Sequence, residues 1–168
     1  MSSSIDQKQK KTSLPSAEWT KLLESATREV FEIMLRTPLE PVKTKSNSEE
    51  GTQEPALTAM IGLAGQISGV LTVRCTLRAA AGIAEKMLGT KVAENDQSSA
   101  DAVGEVCNMI AGNFKSKISG LAESCMLSVP TVISGSNYQL HRLENLEYVE
   151  VSLEFDDFSL DVALEMRV

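Results

Sequence analysis

Along this chain of 168 residues, apolar positions recur with two different periods, and the changes of period divide the sequence into elements. The C-terminal end is the plainest case. Val149, Val151, Leu153 and Phe155 alternate with Tyr148, Glu150, Ser152 and Glu154, and Phe158, Leu160, Val162, Leu164, Met166 and Val168 alternate with Ser159, Asp161, Ala163, Glu165 and Arg167. A period of two, interrupted only by Asp156 and Asp157, predicts an antiparallel hairpin with one buried face. The runs ALTAMIGLA and VLTVRCT predict a second hairpin with a five-residue loop over 65–69. A further strand is predicted over 126–133, with Pro130 placing it at a sheet edge or a bulge.

Helical spacing fills the intervals. Trp19, Leu22, Leu23, Ala26, Val30, Ile33 and Met34 make the apolar stripe of a helix that follows Pro15, with Ser16 as its cap, and stops before Pro38. Ala80, Ile83, Ala84, Met87 and Leu88 mark a second helix, which Gly89 ends in a left-handed conformation. A third begins at a Ser98 or Ser99 cap and runs to about 119 or 120. Helix, two strands, helix, helix and three strands in that order imply an α+β fold, an antiparallel-rich sheet with helices packed on one face. There is no internal repeat.

Composition sets the limits of this picture. Hydrophobic residues at 42% and charged residues at 23% are those of a globular chain long enough to bury a core. Residues 1–14 are set apart as a disordered tail, rich in Ser, Lys and Gln, and 15–168 form one domain. The stretch 38–55 reads as a long polar loop of the functional or mobile kind. A formal net charge of -7 argues against nucleic acid as the partner, since phosphate backbones are met by clustered Lys and Arg. The absence of a leader or an apolar span argues against the membrane and for the cytoplasm. Three cysteines without a CxxC pair, and one histidine, His141, support neither a disulfide framework nor a metal site. Neither a G-x-S-x-G elbow nor a G-x-x-x-x-G-K-[ST] phosphate loop is present, and GLAGQISG lies between strands rather than before a helix.

Both faces of the third helix, DAVGEVCNMIAGNFKSKISG, carry information. At 100° per residue, Val103, Val106, Cys107, Ile110, Phe114, Ile118 and Leu121 gather on the side that packs on the sheet, which makes Cys107 a packed thiol. Asp101, Glu105, Asn108, Gly112 and Lys115 gather on the opposite side in steps of four, three, four and three. Glu105 and Asn108 are neighbours on that face. Gly112 costs the helix about 1 kcal/mol relative to Ala, a cost that makes sense where something outside approaches closely.

The run Asp101, Gly104, Glu105, Asn108, Gly112 and Lys115 resembles the E-x-x-N helix of the CheX/CheC/FliY phosphatase group, and IGLAGQISGVLTV followed by AAAGIAEKMLG is similar to the same family. The resemblance extends over about 17–168. It implies a phosphatase acting on the aspartyl phosphate of a CheY-like response-regulator receiver, with Glu105 and Asn108 as the catalytic pair. CheC-type members carry two such helices. Here the first helix has Glu24, Glu29 and Glu32, followed at the third position by Thr27, Glu32 and Leu35, with no asparagine. The implied relative is therefore CheX, with one active helix per chain and a homodimer formed by joining sheets.

The chemistry is consistent with those side chains. A receiver holds its own phospho-aspartate and Mg²⁺, so no cofactor of this chain's own is called for, and what a phosphatase adds is a water placed in line with the acyl phosphate. The Asn108 amide offers a donor and an acceptor on a short side chain. Glu105 would repel a phosphate, so its natural partner is a cation, which the resemblance identifies as a receiver lysine. Asp101, Gly112 and Lys115 are expected at the rim of the partner contact. The alternative is a CheX-like domain that binds a receiver as a scaffold without turnover.

Overall fold

The computed structural model describes residues 14–43, 54–118, 120–141 and 144–167, without the side chains of residues 121 and 122. All of the expected tail but Leu14, and the middle of the 38–55 loop, lie outside the described residues.

Seven antiparallel strands form one sheet, and the long helices cover one of its faces. The hairpin read most directly from the sequence is β6 (Glu147–Phe155) and β7 (Phe158–Arg167), closed where Phe155 faces Phe158 across Asp156 and Asp157. Val149, Val151, Leu153, Phe155, Leu160, Val162, Leu164 and Met166 of its alternation are buried; Phe158 at the turn is half-buried, and Val168 lies outside the described residues. β7 sits between β6 and β3 (Ser68–Thr76), so both its edges are paired and it is not the open edge that a terminal strand suggests. β2 (Ala56–Gly65) pairs with β3 as far as Leu63 opposite Gly69. Ala64 and Gly65 then leave that ladder to pair with β4 (Cys125–Leu127). The single strand expected over 126–133 is divided at Ser128–Pro130, and both β4 and β5 (Thr131–Gly135) lie against β2. Pro130, lacking an N–H, falls in the gap between them. β1 (Glu40–Pro41) is a two-residue strand on β6 that no periodicity announces.

The first helix, α1, spans Ser16–Met34. Its cap position is Pro15 and no side chain closes it; the Ser16 hydroxyl instead donates to Glu147 at 3.4 Å. α2 (Leu77–Leu88) starts with Thr76 accepting from the Ala79 N–H and ends at Gly89 with φ 71°, as expected. α3 (Gln97–Ser116) is capped by Asp96, not by Ser98 or Ser99, because the carboxylate accepts from the Ser98 N–H at 2.8 Å while Ser99 is buried. It ends some three residues earlier than the sequence implied, and a single turn, α4 (Leu121–Ser124), precedes β4.

α3 lies beside α1, and the two make a common core with the sheet. Val103, Val106, Cys107, Ile110, Phe114 and Ile118 are buried, as the periodicity requires. Trp19 of α1 meets Phe114 of α3 with ring centroids 6.1 Å apart, and Phe31 meets Phe155 of the sheet at 5.4 Å. The apolar stripes are not buried throughout. Ile33 and Met34, on the stripe of α1, are 72% and 53% exposed, whereas Leu35 just after them is buried, and Leu88 at the end of the α2 stripe is 57% exposed beside the terminating Gly89.

Candidate functional site

What fixes the outer face of α3 is its inner face and its flanks. Beneath, the buried stripe anchors it on the sheet. On one flank Gly104 lets β5 come close: a Cβ there would stand 3.3 Å from Val132 Cγ2, with Pro130 next beyond. On the other flank, Asn113 donates from Nδ2 to Glu29 Oε2 of α1 at 3.1 Å and to the Ala26 carbonyl at 3.4 Å. Lys117 donates to Glu29 Oε1 at 2.5 Å. The hydrogen bonds from Lys117 and Asn113 hold the Glu29 carboxyl below its ordinary range. Sequence reasoning passed over Asn113 because it lies off the outer stripe. Its partner is on another helix, and no local pattern signals that contact.

Of the stripe itself, Asp101 and Glu105 are exposed, and Asn108, Gly112 and Lys115 are half-buried. Asp101 is engaged within its own helix, accepting from Gln97 Nε2 at 3.0 Å. The side chains of Glu105, Asn108 and Lys115 make no hydrogen bond or ion pair with any described residue, their backbones being engaged in the helix and its cap. An acid, an amide and a cation thus stand ready for an outside partner, the amide and cation separated along the axis by about 10 Å at 1.5 Å per residue. At Gly112 an added Cβ would meet nothing within 4 Å, so no packing among the described residues accounts for this glycine. The two glycines of α3 therefore differ: Gly104 makes room for β5, and Gly112 makes room for no described residue.

Asn108 and Gly112 also help line an open depression of about 450 Å³ between α3 and the last turns of α1. Cys107 behind them is buried, with its thiol pushed up to about 12 by loss of solvent, which suits a packing role. A second concavity, about 340 Å³, lies on the opposite face of the sheet among Thr72, Arg74, Tyr148, Asp161 and the exposed His141. It shares no residue with the α3 stripe. Among the described residues no three of His, Cys, Asp and Glu are grouped to hold a metal ion, and no helix is long and apolar enough to cross a membrane.

The fold is that of known chemotaxis proteins. Chemotaxis protein CheX from Vibrio vulnificus superimposes with a TM-score of 0.75 over 92% of this chain and 100% of its own, at 19% identity. The CheX–CheY–BeF3–Mg²⁺ complex from Borrelia burgdorferi matches with a TM-score of 0.67, 20% identity, and coverage of 89% of this chain and 98% of that one. The family model described as chemotaxis phosphatase CheX matches residues 57–154, more than half of the sequence, and the chain belongs to the CheX family. In sequence it is 25% identical over 131 residues to the CheY-P phosphatase CheX of Thermotoga maritima, covering 77% of this chain and 84% of the relative.

Proposed function

We propose that this chain hydrolyses the aspartyl phosphate of a CheY-like receiver, with the α3 stripe as its working surface. The observation that carries the reading is the Glu105–Asn108 pair, held on a well-anchored helix and left without internal partners, in a member of a phosphatase family. In the reaction a water oxygen attacks phosphorus while the bond to the aspartate oxygen breaks. The receiver regains its carboxylate, and inorganic phosphate leaves.

Asn108 accepts a hydrogen bond from that water through Oδ1 and directs its lone pair at phosphorus, while Nδ2 donates toward a phosphoryl oxygen. An amide is neutral, so it approaches the phosphoryl group without repulsion. Glu105 pairs with a lysine of the receiver and sets the distance between the two proteins. Mg²⁺ held by the receiver neutralises charge on the phosphoryl oxygens. Lys115 and Gly112 complete the contact, one as a cation at the rim and the other as clearance.

The test is the decay of a purified phosphorylated receiver in the presence of catalytic amounts of this protein. Phosphate released in excess over the protein supports the reading. A receiver that binds and keeps its phosphoryl group would instead make this a non-catalytic receiver-binding domain.

Residues 15–168 act in this reading as one cytoplasmic domain that pairs with a second copy. The sheet ends, among the described residues, on short strands, β1 at one side and β4 and β5 at the other, and an uncovered sheet edge is a template for another copy's strand. Light scattering at micromolar concentration is expected to give about twice the 18.2 kDa chain mass. A monomer mass would contradict the pairing.

A further inference from the structure

The apolar stripe of α1 has more residues than the core has room for. Ile33 and Met34 fall at the spacing that buries Trp19, Leu23, Ala26 and Val30, yet both stand open to solvent. They border the depression of about 450 Å³ between α1 and α3, lined by Ile33, Met34, Met109 and Leu127 together with Asn108 and Gly112. An alanine at 112 would strain nothing and would suit the helix better. The glycine at 112 thus leaves its part of the depression clear although the surrounding described residues would accept an alanine.

We infer that this depression is a docking floor for the receiver, in which α1 supplies apolar grip and α3 supplies the chemistry. The inference rests on the phosphatase reading of Asn108, because the occupant follows from continuity: Asn108 is itself part of the lining. A body that brings a phosphoryl group to the Asn108 amide covers Ile33, Met34 and Met109 in the same movement. That body is the receiver, and next to its phosphorylated aspartate it presents an aliphatic or aromatic side chain that enters the space above Gly112. Apolar anchors seated in such pockets dominate the affinity of protein contacts. Ile33 and Met34 thereby become specificity residues, which sort receivers by the apolar surface flanking their phosphorylation site. A small acyl phosphate has no such surface and gains nothing from them.

The test compares wild type, Ile33→Ser/Met34→Ser and Ile33→Leu/Met34→Leu by titration against the CheY-type receivers of the same cell, each loaded with beryllofluoride. Turnover of the phosphorylated forms is measured in parallel. Both positions are exposed, and thermal melting verifies that the variants fold. The serine pair is expected to raise the Kd at least about tenfold and to raise KM in step, with kcat at saturating receiver retained. The leucine pair is expected to stay near wild type. A serine pair with wild-type affinity overturns the docking floor and leaves the phosphatase reading in place. If wild type binds a receiver but does not hydrolyse its phosphate, the phosphatase reading falls and the floor is judged on the affinities alone. If wild type binds none of these receivers, both fall.

Discussion

α1 and α3 pack side by side on one sheet face, and each turns acidic side chains outward, but the two outer surfaces are used differently. On α1, Glu24 pairs with Arg28 at 2.7 Å, and Glu29 is taken up by Lys117, Asn113 and Ser25. Glu32 is exposed, but the residue three places on is the buried Leu35, and the one three places after Glu24 is Thr27, buried and bonded to its own helix. On α3, Glu105 and Asn108 are both turned outward and both unengaged. A polar residue with a partner inside the chain is explained by the fold. One without a partner among the described residues, in a stripe whose Gly112 none of them packs against, calls for an explanation outside it.

The contrast is broken most severely at Asn108. Asn108→Ala is expected to lower turnover by about 100-fold or more, with affinity for a beryllofluoride-loaded receiver within about twofold of wild type. Thermal stability should hold or rise, since Ala is the better helix former. Lost stability alongside lost turnover would make Asn108 structural. Glu105→Ala is expected to act on docking, weakening affinity by about 2–5 kcal/mol, much of it from the receiver lysine left unpaired. Glu105→Gln should recover part of that loss. Equal affinities for wild type and Glu105→Ala would remove the docking role.

Gly112→Ala separates stability from function by sign. The helix should gain up to about 1 kcal/mol, seen as a higher Tm, while affinity for the receiver falls because a methyl group now occupies the clearance. A more stable protein with unchanged affinity would show that nothing approaches there.

The smallest effect belongs to the clamp between the helices. The Glu29 carboxyl is held below its ordinary value near 4.5, so it contributes stability above that pH and loses the contribution as pH falls through its lowered folded value. Glu85, which accepts from the Val92 N–H, and Asp96, which accepts from Ser98, act with the same sign. Glu29→Gln should therefore melt below wild type at pH 7, with the gap narrowing as the solution is acidified below about 4.5. A gap that does not depend on pH would mean the carboxylate charge adds nothing to the clamp.

The parts of this molecule that were legible from sequence are those in which a residue's position follows from its neighbours along the chain. The alternation from Val149 to Met166 fixes the β6–β7 hairpin, and Gly89 ends α2 because its backbone must turn left-handed. The two faces of α3 separate at 100° per residue, so the candidate stripe was legible too. What escaped depends on contacts far along the chain. β1 exists because Glu40 and Pro41 meet Glu154 and Leu153. Asn113 acquires its role from Glu29 on α1. Ile33 and Met34 carry the pattern of core residues, yet they border an open depression between α1 and α3, and no pattern along the chain signals that.

The most direct test of the account sets the two helices against each other in one assay, the decay of a phosphorylated CheY-like receiver with catalytic amounts of each protein. One variant removes Glu24 and Glu32 from the outer face of α1 by alanine substitution, and the other is Glu105→Ala/Asn108→Ala on α3. The account predicts wild-type decay with the α1 variant and decay no faster than the receiver's own with the α3 variant, both proteins being folded. Wild-type decay with the α3 variant would contradict it.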